Sequence, residues 1–332
     1  MFEKDIDFLG IGDITTDAFI KINEADVNCN ADKEKCELCM KYGDKVPFEY
    51  VKVIKAVGNS ANASVSAARL GLRSALIANI GDDQNGVDCI GELRNNKVDT
   101  KYIKKNNGKP TNYHFVLWYK DDRTILVNHI EYDYKLPKLS KAPKWIYLSS
   151  LASNSYDYHL EILDYLKSHP ETKLAFQPGT FQMKLGINKL KDIYKRSEVF
   201  VCNVEESQRI LNNDTKDIKK LLGEMHALGP KIVLITDGPK GAYMLDGEHY
   251  YYMPIYPDPK PPVERTGCGD AFASTFVSAL HMGKSPLEAL VWAPVNPMSV
   301  VQYVGAQEGL LNLDQFDWWL HRAPEDYRPR EI

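Results

Sequence analysis

Short apolar runs recur along the chain, and most of them lead directly into helical sequence. They read "IDFLGIGDI", "SALIANI", "KWIYLSS", "KLAFQP", "EVFVCN" and "KIVLIT". Strands joined through helices come back parallel to one another, and a parallel sheet must bury both of its faces. The alternation therefore predicts an α/β fold, a mostly parallel central sheet with helices on both faces. The helical segments fit this role: "NSANASVSAARLG" is rich in small residues, and an amphipathic stretch runs from Gly86 to Asn96. With 332 residues, 44% of them hydrophobic and 26% charged, the chain can fill such a core.

Two stretches break the alternation. Residues 17–56 are polar and strand-prone, and "NYHFVLWYKDDRTILVNH" reads as two strands around Asp121 and Asp122, a hairpin with an acidic turn. Together, 17–56 and 111–130 are expected to form a small β-sheet lid over the C-terminal edge of the main sheet, where open α/β sheets bind ligands. The main α/β domain then takes 1–16, 57–110 and 131–332. The tail "APEDYRPREI" is polar and contains proline, and is expected to be loosely held.

The net charge of -4 offers no general attraction to nucleic acid or to an anionic membrane. "MFEKDIDFLG" carries acids where a signal peptide needs an apolar core, and no apolar run approaches the roughly 20 residues that span a bilayer. A cytoplasmic protein acting on neither nucleic acid nor membrane is expected.

Chemistry concentrates in "ERTGCGDAF", residues 264–272, ahead of a long apolar helix. A helix N-terminus presents unpaired N–H groups and the positive end of the helix dipole, and glycines let an anion approach them. Gly267, Cys268 and Gly269 are thus candidates for a phosphate cradle. Asp270 repels phosphate, so its place there suits a second reactant, a hydroxyl whose proton it accepts during attack on a held phosphoryl group. An ordinary acid in a first turn, favoured by the dipole, is the alternative. A dinucleotide enzyme needs G-x-G-x-x-G, but "GIGDIT" and "GCGDAF" both fail at the third glycine. No G-x(4)-G-K-[S/T] string of a P-loop ATPase occurs. A ligand-binding regulator without turnover is the remaining rival, and retention of Asp270 beside both glycines argues against it.

This stretch resembles the C-terminal signature D-T-x-G-A-G-D of the ribokinase (PfkB) family of carbohydrate and nucleoside kinases, with Glu264, Arg265 and Cys268 departing from it. Further motifs follow the family's order. "GDITTD" is similar to its first strand-end motif, which implies that Asp17 binds substrate hydroxyls. "VGNSANASVSAARLG" resembles its N-terminal signature, so that Gly58, Asn59 and Asn62 would line the sugar pocket, with Val57 in place of a glycine. "GDD" at 81–83 followed by Gly86 is also similar to the family. "NVEES" supplies N-x-x-E, implying that Asn203 and Glu206 organise Mg²⁺ through water. "ITDGPKGAY" places Thr236, Gly238 and Gly241 beside the nucleotide, and Asn296 falls where the family has an asparagine near adenine.

The resemblance implies a Rossmann-like ribokinase fold with a β lid, and ATP and Mg²⁺ as donor and cofactor. The acceptor would be a small sugar or, alternatively, a nucleoside, and the assembly a homodimer through the lid. The family's monovalent-cation site involves the acid held here by Glu264. "FQPGTFQMK" lacks the family's D-x-N-x-R, which leaves Lys184 as a candidate for touching phosphate. For several residues a plain structural role competes: Asp17 can cap a turn, and Asn203 with Glu206 can form a capping box. Asn62, a poor helix former, stands inside a helical run.

Six cysteines in a chain this long do not make a disulfide scaffold. Cys29, Cys36 and Cys39 form C-x(6)-C-x(2)-C in the expected lid. They could hold a structural Zn²⁺ with a residue such as His129 as fourth ligand, or pack a thin layer as reduced thiols. Cys268 can stand in for the family's alanine or act as a reactive thiol with a lowered pKa.

Overall fold

The structure is a computed structural model that describes residues 5–30, 36–120 and 122–332. Among the described residues the main sheet has ten strands. From one edge, Ile103–Asn106, Ser74–Gly81, Phe8–Ile11, Trp145–Leu148, Lys173–Phe176, Val199–Asn203 and Ile232–Thr236 all run parallel. Ala242–Asp246, His249–Met253 and Arg330–Glu331 then extend the sheet antiparallel. The inner strands alternate between two cores, as a sheet buried on both faces requires. Leu9, Ile146, Leu148 and Phe200 enter one core, under helices that include Tyr156–Ser168 and Ile187–Arg196. Phe8, Trp145, Tyr147 and Val201 enter the other, under Asn59–Arg69 and Cys268–His281.

A second sheet of four strands orders Phe48–Val57, Thr15–Ile22, Asn112–Tyr119 and Asp122–Asn128. It leans over the main sheet: Lys52 Nζ donates to Val304 O at 3.2 Å and pairs with Glu308. In the hairpin, Asp122 already lies opposite Tyr119 in the second strand. Asp122 thus belongs to the strand rather than to the turn, and Asp121 lies outside the described residues.

Two expectations need correction. The tail is not loose: Tyr327 is buried, its hydroxyl donates to Val291 O at 2.6 Å, and Arg330–Glu331 forms the edge strand. One buried aromatic and a strand pairing hold a segment whose composition alone reads as free. The lid cysteines do not form a zinc site. Cys29 and Cys36 face each other across the ribbon Asp26–Cys29/Cys36–Cys39 and are joined as a disulfide, which takes two of the three thiolates a metal would need. Among the described residues no group of three or more His, Cys, Asp and Glu side chains is placed to hold a metal ion directly. His129, offered as a fourth ligand, instead pairs with Asp13.

Candidate active site

The carboxyl ends of the parallel strands open into a cleft of ≈ 900 Å³, roofed by the second sheet. Asp17, Gly58, Asn59, Asn62, Asn203, Glu206, Thr236, Gly238, Gly241 and the stretch 267–270 all line it. Motifs spread over most of the chain thus converge on one space.

Gly267 caps the helix Cys268–His281 at φ 82°, in the left-handed region, and a Cβ there would run into Ala306. At Gly269 a Cβ would meet only Gln177 Nε2, at 3.7 Å. The packing around it therefore does not require glycine at 269. Gly269 and Asp270 have no carbonyl four residues back within their own helix, so their N–H groups are free of the helical ladder. Cys268 N–H is partly used, in a 3.4 Å bond to Arg265 O.

Asp270 is only 6% exposed, yet it lines the cleft. Its Oδ1 accepts from Asn59 Nδ2 at 2.7 Å and Gln177 Nε2 at 3.2 Å, and its Oδ2 from Asn62 Nδ2 at 2.7 Å. The amide orientations are set from behind. Gln307 Nε2 donates to Asn62 Oδ1 at 2.9 Å and to Ala56 O at 2.7 Å, which turns the Asn62 amino group toward the acid. The Tyr147 hydroxyl donates to Gln177 Oε1 and turns that amide the same way. Burial raises the Asp270 pKa above the usual carboxylate range, and the Asn62, Asn59 and Gln177 donors pull it back down. The net direction is upward, so the carboxyl is held in place with raised basicity, a property suited to a general base.

Elsewhere along the cleft two aspartates each meet a histidine. Asp17 and His114 are register partners on adjacent lid strands, with His114 Nδ1 3.3 Å from Asp17 Oδ1. Asp13 follows the first strand of the main sheet. Its Oδ2 lies 2.7 Å from His129 Nε2 and accepts from Tyr134 Oη at 2.7 Å and Ala152 N at 3.0 Å.

Toward the other end, Asn203 and Glu206 form the capping box: Asn203 Oδ1 accepts from Glu206 N at 2.8 Å, and Glu206 Oε2 from Asn203 N at 2.9 Å. The box uses Glu206 Oε2, and the residue lines the cleft. Burial raises the Glu206 pKa, and the nearby Asp270 charge adds to the rise. An oxygen-lined spot where two acids repel suits a hydrated divalent cation. Thr236 ends its strand, and Gly238 and Gly241 bracket the turn that follows.

Asn296 does not join this cleft. It is 0% exposed, its Nδ2 donates to Thr275 Oγ1 at 2.9 Å, and its Oδ1 accepts from Leu311 N at 2.9 Å. Its amide is spent on tying helices together, and Pro294, Pro297 and Met298 line that wall instead. Cys268, half-buried on the cleft wall, lacks the lowered pKa expected of a reactive thiol: desolvation, with Glu264 and Asp270 close by, pushes it up to about 12. Glu264 accepts from Thr266 N at 2.8 Å and faces Arg123 of the lid at 3.4 Å, so a guanidinium stands where the resemblance places a monovalent cation. Lys184 lines the cleft with its Nζ 5.5 Å over the Phe181 ring.

Sequence reasoning missed Asp13, His114, Gln177 and Gln307. Asp13 lies inside a quoted motif and Gln177 at the missing D-x-N-x-R, so both had a signal. His114 and Gln307 sit in no motif and reach the site only through sheet register and chain return.

The sequence profile described as pfkB family carbohydrate kinase matches residues 21–312. The chain is 27% identical to an ATP-dependent 6-phosphofructokinase of Thermoanaerobacterium thermosaccharolyticum over 296 residues, 82% of this chain and 87% of that one. It is 26% identical to ribokinase of Bacillus subtilis over 261 residues, covering 76% and 83% of the two chains. The structure of Arabidopsis thaliana ribokinase complexed with ribose and ATP superposes with a TM-score of 0.77 at 19% identity, over 96% of this chain and 99% of that one.

Proposed function

The chain belongs to the pfkB family of carbohydrate kinases and is a phosphotransferase with an alcohol acceptor, and from that premise we propose that Asp270 is its catalytic base. The acceptor, a small sugar, lies between Asp17, Asn62 and Asp270. Asp270 takes the hydroxyl proton as that oxygen attacks the γ-phosphorus of ATP; the bond to the β–γ bridging oxygen breaks and ADP leaves. The amides at Gly269 and Asp270 stabilise charge on the moving phosphoryl group without reorganising. Mg²⁺ bound with ATP neutralises phosphate charge, and Asn203 and Glu206 would hold it through water. Thr236, Gly238 and Gly241 flank the phosphates, and the wall at Pro294 and Met298 takes the base. The observation that carries this reading is the triple amide clamp on a cleft-lining carboxylate beside a glycine-lined helix N-terminus.

We place the enzyme in the cytoplasm, the compartment that supplies ATP to sugar kinases; among the described residues no helix is long and apolar enough to cross a membrane. We also infer a homodimer through the lid, supported by apolar residues on the sheet face turned away from the cleft.

The test is phosphate transfer from γ-labelled ATP to a panel of sugars. Asp270→Asn is expected to lower kcat by about 10²- to 10⁴-fold, the usual worth of a general base, while ATP still binds by equilibrium titration. A variant that keeps wild-type turnover would remove Asp270 from the mechanism.

A further inference from the structure

The cleft wall leaves several buried polar atoms unmet. Asp13 Oδ1, Asp17 Oδ1 and His114 Nε2 have no hydrogen-bond partner among the described residues. Asp13 is the sharpest case, since its side chain is 3% exposed and all of its donors reach Oδ2. The His114–Asp17 contact is close without being aligned as a hydrogen bond. These residues sit together: the His114 and His129 rings lie 6.2 Å apart, and the edge of Phe181 meets His129 at 5.5 Å. Leaving buried polar atoms unpaired is costly, so a cluster of them at a cleft wall marks where a ligand completes the bonding.

Two of the three unmet atoms, the carboxylate oxygens, are acceptors. His114 Nε2 accepts or donates according to its tautomer, and a hydroxyl, which does both, suits it as well. A partner here must bring donors, and closely spaced ones, as the hydroxyls of a polyol are. A carboxylate or phosphate group would bring more acceptors and set its charge against two aspartates. His129 is held by Asp13 and Arg123 faces Glu264; Lys184, over the Phe181 ring, and Arg265 also line the cleft, and among the described residues neither is paired with Asp13 or Asp17.

We propose that the paired Asp13–His129 and Asp17–His114 units are a specificity site that selects an uncharged, polyhydroxylated acceptor over a phosphorylated or carboxylated one. The proposal rests on the kinase reading above. It makes His114 and Asp13 substrate-binding residues rather than catalytic ones, so their loss acts mainly on KM.

The experiment compares ribose, fructose and a ribonucleoside with ribose 5-phosphate, fructose 6-phosphate and gluconate. The full chain is measured both by ADP release and by calorimetric binding without ATP. The expected result is a preference of at least about tenfold in kcat/KM for an uncharged compound. His114→Phe, which keeps the ring volume, should raise KM for it by about 10- to 100-fold with a smaller change in kcat. His114→Gln, which keeps an acceptor, should recover part of the loss. Asp13→Asn serves as a second variant, because its carbonyl can keep the three existing donors while its amino group puts a donor where Oδ1 stood. It should weaken the same compound by about tenfold or more, at an unchanged melting temperature. Preference for a phosphorylated or carboxylated compound, or unchanged KM in all three variants, overturns the proposal. If nothing is phosphorylated the kinase reading fails by itself, and calorimetry still decides: binding of uncharged polyols alone sustains the selection, and binding of the anions, or of no polyol, overturns it.

Discussion

Three side-chain amides point at the buried Asp270, and two of them, Asn62 and Gln177, are aimed by a neighbour. That arrangement makes a pH prediction with a definite sign. Burial raises its pKa, the donors lower it, and the ionised form is the base. Removing a donor by Asn59→Ala therefore raises the pKa further, and the acid limb of the kcat/KM profile should move to higher pH than in wild type. A limb that stays put or moves to lower pH would mean that another group limits the rate. Gln307 acts one step back: Gln307→Leu removes the donor to Asn62 Oδ1 and so loosens the amide that holds the acid.

The helix Cys268–His281 and the loop before it act as a unit. Gly267 holds a left-handed conformation against Ala306, and that contact sets where the first-turn amides point. Gly267→Ala is expected to cost about 1–3 kcal/mol of stability from the backbone conformation alone, read by urea unfolding, and to lower transfer more than ATP binding. The same loop is tied to the lid through Glu264, which bonds Thr266 and faces Arg123 on the strand Asp122–Asn128. Closing the lid and setting the loop are thereby linked. Arg123→Gln should lower kcat on the order of tenfold, equivalent to about 1.4 kcal/mol at the barrier, and increase the share of ATP lost to water. An unchanged ratio of transfer to hydrolysis would break that link.

At the scale of the molecule, the four-stranded sheet has two unlike faces. One carries Asp17 and His114 into the cleft. The other exposes Val51, Val53, Phe115 and Leu126, a row of apolar side chains that a second lid would cover. A Phe115→Lys, Leu126→Glu double variant should sediment as a monomer under conditions where wild type is a dimer. A monomeric wild type, or a dimeric variant, would end the lid-dimer reading. The main sheet shows the same division of labour between faces, with both sides buried and function confined to the strand ends.

The alternation of strand and helix, the lid strands, Asp270 and its glycines are legible in the sequence because each is a local pattern: period, turn chemistry or a short motif. Tertiary structure alone decided which polar groups meet. Asn296 carries the same amide as Asn62, but helix packing buries it against Thr275 and Leu311. Cys29 and Cys36 read as metal ligands until strand pairing sets them face to face. His114 has no motif at all and becomes part of the cleft only because parallel register lays it beside Asp17. A sequence records which groups a chain owns; the partner each receives, and so its charge, orientation and chemistry, depends on residues far away along the chain that folding brings near.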